Sequence, residues 1–167
     1  FMKEKTYILA IDTTEERTGI GLTAAGPEGT LARRGKGMTR IKTWLSQRNQ
    51  SQELLPNIDN LLKTNKIKPE QLKWVAVNLG PGSFTGLRVG ISTANAFGYG
   101  LQIPVIGQSH LTGVVKDRLQ QLLEIKNPTQ PPLSKGRSKE VKKFRQVLPV
   151  YGSAPRITQP KKFPTKS

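Results

Sequence analysis

Residues 74–79, WVAVNL, form an apolar run broken only by Asn78, and the run ends at Gly80, Pro81 and Gly82 before a helix-compatible stretch from Ser83 to about Leu101. A strand that is apolar on both faces has to be covered on both faces. This one feature therefore demands a sheet with helices packed above and below it.

The other periodicities fill in that plan. Residues 6–12, TYILAID, are rich in β-formers and end in an acid, and residues 18–24 and 30–37 follow across short turns, which predicts three antiparallel strands at the start. Leu54, Leu55, Ile58, Leu61 and Leu62 recur at helical spacing and predict an amphipathic helix from Ser51 onward. Pro56 costs that helix a backbone hydrogen bond and implies a late start or a bend. Residues 104–107, PVIG, predict another short buried strand, and a third helix is expected from near Ser109 to Glu124 with Leu111, Val114, Val115, Leu119, Leu122 and Leu123 inward. The order βββαβαβα suits a mixed α/β sheet with helices on both faces. It resembles the ribonuclease H-like half-domain of the acetate kinase, Hsp70 and actin superfamily. Ligands in such sheets sit at the carboxyl ends of strands, where Asp12 and Gly80 both fall.

A strand ending in Gly-Pro-Gly hands the chain to a helix whose first N–H groups lack helical partners, and the positive end of that helix attracts anions. Asp12, Thr13, Gly80, Gly82, Ser83 and Thr85 are the candidate phosphate or nucleotide loop, with Ser83 and Thr85 as caps whose hydroxyls also reach a phosphate. The competing reading is conformational: Gly-rich turns between strand and helix satisfy backbone demands with no ligand at all. The spacing is neither the dinucleotide fingerprint nor a Walker loop, since no Gly-Lys-Ser or Gly-Lys-Thr follows.

Charge divides the chain. Residues 1–115 hold 14 Lys and Arg against 8 Asp and Glu, a net of +6, whereas residues 116–167 hold 13 against 3, a net of +10. Pro, Ser, Gly and Lys dominate that last third, so residues 127–143 and 152–167 are expected to be poorly ordered, with RQVLPVY between them docking as a strand. Lys135, Arg137, Lys139, Lys142, Lys143, Arg145, Lys161 and Lys162 are the candidates for nucleic-acid contact. Among these basic residues only Phe144, Tyr151 and Phe163 offer rings, so base stacking adds little. The absence of cysteine excludes disulfides, thiol catalysis and zinc-thiolate sites. No apolar run approaches the ~18 residues of a membrane span, and a soluble cytoplasmic protein is expected.

The stretches ILAIDTT, SQELLPNIDNLL, VAVNLGPGSFTGLRVGISTANAFGYGLQIPVIGQSHL and VLPVYGSAPRITQPKK resemble the TsaB-type members of the Gcp-like family of tRNA threonylcarbamoyladenosine biosynthesis proteins. The resemblance covers residues 6–115 and a short end piece, and GPGSFTGLRVG is its most specific part. It implies a role in placing a threonylcarbamoyl group on the adenosine beside the anticodon, alongside a TsaD-type catalytic paralogue and a TsaE-type ATPase. It also carries a pairing role to the helix bearing Leu54, Leu55, Ile58, Leu61 and Leu62, with itself as a homodimer or with the TsaD-type partner. TsaD-type proteins have an H-x-x-x-H pair for a metal after the corresponding strand. Here His110 is followed at the fourth position by Val114, which has no lone pair, so no metal site is expected and His110 reads as a helix-start or packing residue.

The chain departs from the family where a second half-domain is expected. Residues 125–146 are mostly polar and read as a linker between a domain at 2–124 and a docking strand with basic tail at 147–167. The second lobe is thus expected to be reduced or absent, which leaves no complete nucleotide cleft. The chain by itself then takes no cofactor, and ATP or ADP would bind only at a partner interface. The expected function is a non-catalytic partner in tRNA modification, with tRNA reached through the complex and the tail and no membrane contact. Two alternatives remain from the residues: a phosphotransferase or nucleotide hydrolase with Asp12 positioning metal-bound water, and a basic tRNA-binding module.

Overall fold

The computed structural model describes residues 5–26, 39–47, 49–125 and 146–150. Strands β1 (Thr6–Asp12) and β2 (Arg17–Ala25) form an antiparallel hairpin, and β3 (Arg40–Leu45) adds antiparallel to β2. On the other side of β1, β4 (Leu72–Gly80) pairs parallel with it and β5 (Val105–Ser109) pairs parallel with β4, for a strand order β3-β2-β1-β4-β5. Helix α1 (Gln50–Thr64) leads from β3 towards β4, α2 (Phe84–Leu101) joins β4 to β5, and α3 (Val115–Leu123) follows β5. This is the ribonuclease H-like arrangement, with β1 at its centre.

Alternate residues of a strand point to opposite faces, and here each face has its own core. Leu9, Ile11, Val75 and Val77 meet Leu54, Ile58, Leu61 and Leu62 of α1 and Leu87, Ile91 and Ala94 of α2. Ile8, Ala10, Trp74 and Ala76 meet Val115, Leu119, Leu122 and Leu123 of α3. A fully buried Leu or Ile contributes roughly 1.5–3 kcal/mol, so both layers are firmly fixed. Among the described residues no helix is long and apolar enough to cross a membrane.

Several elements differ from expectation for identifiable reasons. The expected strand at residues 30–37 lies outside the described residues, among which the third antiparallel strand is β3, at residues 40–45. α1 does not start late: it begins at Gln50 with Pro56 inside it. Long-range contacts hold that first turn. Glu53 Oε2 accepts from Trp44 Nε1 at 2.9 Å and from Ser46 Oγ at 2.6 Å, and buried Gln50 donates from Nε2 to the Glu15 carbonyl at 3.4 Å. β5 is a half-buried edge strand and runs on to Ser109, which pairs with Gly80. α3 therefore starts at Val115, because the backbone at His110 (φ 57°) and Gly113 (φ 87°) is left-handed and cannot continue a helix. Val114 is 65% exposed and leaves the inner face, while Asp117 Oδ2 accepts from its N–H at 3.2 Å and starts the helix.

The Glu53 clasp carries a prediction. Glu53→Ala is expected to cost about 1–3 kcal/mol in urea unfolding, because Trp44 and Ser46 both lose their acceptor. Asp59→Ala, which removes only the exposed Lys63–Asp59 pair, is expected to change stability by less than about 1 kcal/mol.

Candidate functional site

The strand-end turn after β1 and the loop after β4 meet at one place, in close backbone contact. Asp12 is fully buried at the end of β1. Its Oδ1 accepts from Thr14 N at 3.1 Å and Thr14 Oγ1 at 2.7 Å, and its Oδ2 accepts from Asn78 Nδ2 at 3.0 Å and Arg118 Nε at 2.7 Å. A carboxylate has about four lone-pair positions, and four donors fill them. Arg118 reaches this spot from the first turns of α3, with only 7% of its side chain exposed, and also donates through Nη1 to Glu15 Oε1 at 3.0 Å and to the Gly113 carbonyl at 2.8 Å.

Burial alone would make the Arg118 guanidinium easier to deprotonate. The hydrogen bond and charge of Asp12, followed by those of Glu15, outweigh it and raise the Arg118 pKa above its ordinary value. Its Nη2 is buried without a hydrogen-bond partner among the described residues, so part of the desolvation cost is left uncompensated.

The glycines of the loop are shaped by the same turn. A Cβ on Gly82 would come within 2.5 Å of the Thr14 carbonyl oxygen. Those on Gly86 and Gly90 would collide with the Thr13 carbonyl and the Thr13 hydroxyl respectively. Thr13, itself buried, donates from Oγ1 to the Gly86 carbonyl at 2.7 Å. The Thr14 carbonyl accepts from Ser83 N at 2.7 Å, and Ser83 Oγ caps α2 by accepting from Gly86 N at 3.3 Å. Gly80 (φ 107°) donates from N to Asn78 Oδ1 at 3.0 Å and accepts from His110 N at 2.7 Å through its carbonyl.

Of the six loop candidates, then, Asp12, Thr13, Gly80, Gly82 and Ser83 are brought together, and Asp12, Thr13, Gly80 and Ser83 are hydrogen-bonded to neighbouring groups of the fold. The Ser83 and Gly86 N–H donors are engaged within the fold. Thr85 stands apart, exposed on α2 beside Arg88 and lining an open groove of about 430 Å³ with Ser51, Val89, Ser92 and Thr93.

Of the five interface candidates on α1, Leu54, Ile58, Leu61 and Leu62 belong to the core, which removes them from any surface; Leu55, at 54% exposure, is the one that faces outward. The reason is width, since the sheet and α2 together cover most of the helix's apolar stripe. Nearby, Phe84 is 53% exposed and carries the Arg88 guanidinium 5.3 Å from its ring centre. His110 neither starts a helix nor packs: its side chain is exposed in the left-handed turn after β5. Lys135, Arg137, Lys139, Lys142, Lys143, Arg145, Lys161 and Lys162 all lie outside the described residues.

Sequence reasoning passed over Arg118, Asn78 and Asn95. A signal existed for the first: Arg118 lies three residues after Val115 and one before Leu119, on the inward stripe of α3, where a cation requires a buried partner.

Fold and site together define a ribonuclease H-like half-domain whose strand-end turn is closed by an internal arginine. A family model described as "TsaD: tRNA N6-adenosine threonylcarbamoyltransferase" matches residues 44–149, and the chain belongs to that family. Within it, the chain resembles the TsaB proteins. The TsaB protein of Haemophilus influenzae, named for tRNA threonylcarbamoyladenosine biosynthesis, is 34% identical over 109 residues, covering 65% of this chain and 42% of the relative. The tRNA N6-adenosine threonylcarbamoyltransferase of Enterococcus faecalis is 29% identical over 119 residues, covering 68% of this chain and 34% of the relative. The solved structure of YeaZ from Pseudomonas aeruginosa superposes with a TM-score of 0.50 at 27% identity, covering 64% of this chain and 45% of that one. The chain thus spans less than half the length of each of these relatives.

Proposed function

We propose that this chain acts in tRNA threonylcarbamoyladenosine biosynthesis as a non-catalytic partner, docking on a TsaD-type subunit that works with a TsaE-type ATPase. The observation that supports this most is the state of Asp12. A hydrolase of this superfold would need a strand-end carboxylate open to a metal-bound water, and here both carboxylate oxygens are filled by Thr14, Asn78 and Arg118. The family membership and the names of the relatives support the pathway. In this reading ATP or ADP is held only where a partner completes the cleft, and tRNA is reached through the complex and the basic tail.

The docking face is the outer side of α1 and α2, which carries exposed Leu55 and Phe84 and the groove lined by Ser51 and Arg88. Size-exclusion chromatography with light scattering, on the chain alone and mixed with a TsaD-type protein, tests it. A homodimer or a heterocomplex is expected, and Leu55→Glu is expected to weaken it at least about tenfold while leaving the fold intact, as for an interface hot spot. Leu61→Glu is expected instead to unfold the chain, because that position is only 8% exposed. If no association appears under either condition, the partner role is wrong. Nucleotide hydrolysis by the unmodified chain alone would favour the enzyme reading.

A further inference from the structure

Residues 146–150, QVLPV, lie across α2 and the end of β4 with no strand pairing, held by bonds to their main chain and by the packing of Val147. The Asn95 amide, on α2 and only 8% exposed, makes a reciprocal pair with Val147: Nδ2 donates to the Val147 carbonyl at 3.0 Å and Oδ1 accepts from Val147 N at 3.0 Å. Three residues on, Val150 N donates to the Leu79 carbonyl at 2.7 Å. Burial alternates along the segment, with Val147 and Pro149 turned in and Gln146, Leu148 and Val150 turned out. That is the pattern of an extended chain lying on a surface.

A side-chain amide that offers one donor and one acceptor to a single residue's backbone imitates a strand edge. Such a contact reads extended backbone and asks little of side-chain identity. Here only Val147 packs into the core beneath α1 and α2.

The geometry points to a peptide-docking slot on α2 and β4, built around Asn95 and the Leu79 carbonyl and filled by this chain's own residues 146–150. The slot accepts the same segment, residues 146–150, of a second copy of this chain once its own strap is lifted. It is coupled to the loop beside it, because a Cβ on Gly80 would come within 2.5 Å of the Val150 carbonyl oxygen. The strap thus lies against the turn whose Gly80 carbonyl accepts from His110 N. The inference stands independently of the partner reading above, which concerns the outer face of α1 and α2.

The test uses the full chain as wild type, Val147→Pro, Asn95→Ala and the double variant, with hydrogen exchange and a fluorescein-labelled peptide of residues 146–150. Val147→Pro removes the N–H that Asn95 accepts and leaves the slot itself unchanged. The Val150 amide is expected to exchange about tenfold faster in Val147→Pro, and both the Val147 and Val150 amides about tenfold faster in Asn95→Ala, with β1 and β4 amides unchanged. The peptide is expected to bind Val147→Pro saturably, and to bind neither the wild type, whose slot is filled, nor the double variant, whose slot is broken. Failure of the peptide to bind a folded Val147→Pro chain, or equal binding to the double variant, overturns the proposal. Should Val147→Pro unfold, Asn95→Ala decides alone, and strap exchange at the wild-type rate in that variant overturns it too.

Discussion

Arg118→Ala is expected to cost about 3–5 kcal/mol, or to unfold the chain outright, because it leaves the Asp12 carboxylate buried and without a counter-charge. The same substitution on an exposed arginine costs a small fraction of that. What decides the magnitude is burial: Asp12 is fully enclosed and Arg118 nearly so. Arg118→Lys is expected to recover only part of the loss, since one ammonium cannot reach Asp12, Glu15 and the Gly113 carbonyl in the geometry of a planar guanidinium. The informative comparison is Asp12→Asn with Arg118→Met. This double variant removes both charges together, and it is expected to be far more stable than Arg118→Ala, because an uncompensated charge costs more than a missing pair. Urea unfolding monitored by circular dichroism measures all three. A loss below about 1 kcal/mol for Arg118→Ala would mean that the pair is solvated and does not join α3 to β1.

Gly90→Ala is the second large effect, and its sign separates two principles. Helix propensity favours alanine by up to about 1 kcal/mol in a helix interior. Packing opposes it, since the new methyl group would collide with the Thr13 side chain at the end of β1. Overpacking a core typically costs about 1–3 kcal/mol, so a net destabilisation of about 1–2 kcal/mol is expected. Thr13→Ala in the same chain removes the obstructing hydroxyl and is expected to reverse most of the Gly90→Ala penalty in a double-mutant cycle. Gly100 is the control. Nothing lies within 4 Å of a Cβ built there, and Gly100→Ala is expected to be neutral or stabilising by up to about 1 kcal/mol.

The parts of the molecule that local pattern determines were legible in the sequence. β1, β4 and α2 stand out because a continuous apolar run, a glycine turn and a capping serine each act within a few residues. The placement of helices on both faces followed from the same run. Where distant groups decide, pattern was ambiguous: Pro56 suggested a late helix start or a bend, and the late start is ruled out because Glu53 bound to Trp44 and Ser46 holds the turn before it. β3 falls at Arg40–Leu45, a stretch whose charged and apolar residues gave a weaker strand signal than the hairpin before it. The site divides in the same way. The meeting of Asp12 with the Gly80 loop was visible, because both end strands. What fills the meeting point was not, since Thr13 contacts a residue 73 positions away and Asp12 is paired with one 106 positions away. An arginine 106 positions from its partner reads as surface until the fold brings it inward.

That separation has a consequence for the order in which the chain is made. Asp12 leaves the ribosome 106 positions ahead of Arg118, so the nascent β-hairpin carries a carboxylate with no arginine yet to receive it. Burial of an unpaired carboxylate is strongly unfavourable, and the turn after β1 therefore stays hydrated until α3 emerges and delivers its guanidinium. α3 thus sets the moment at which the turn after β1 closes, and a fragment that stops short of residue 118 is expected to keep that turn open.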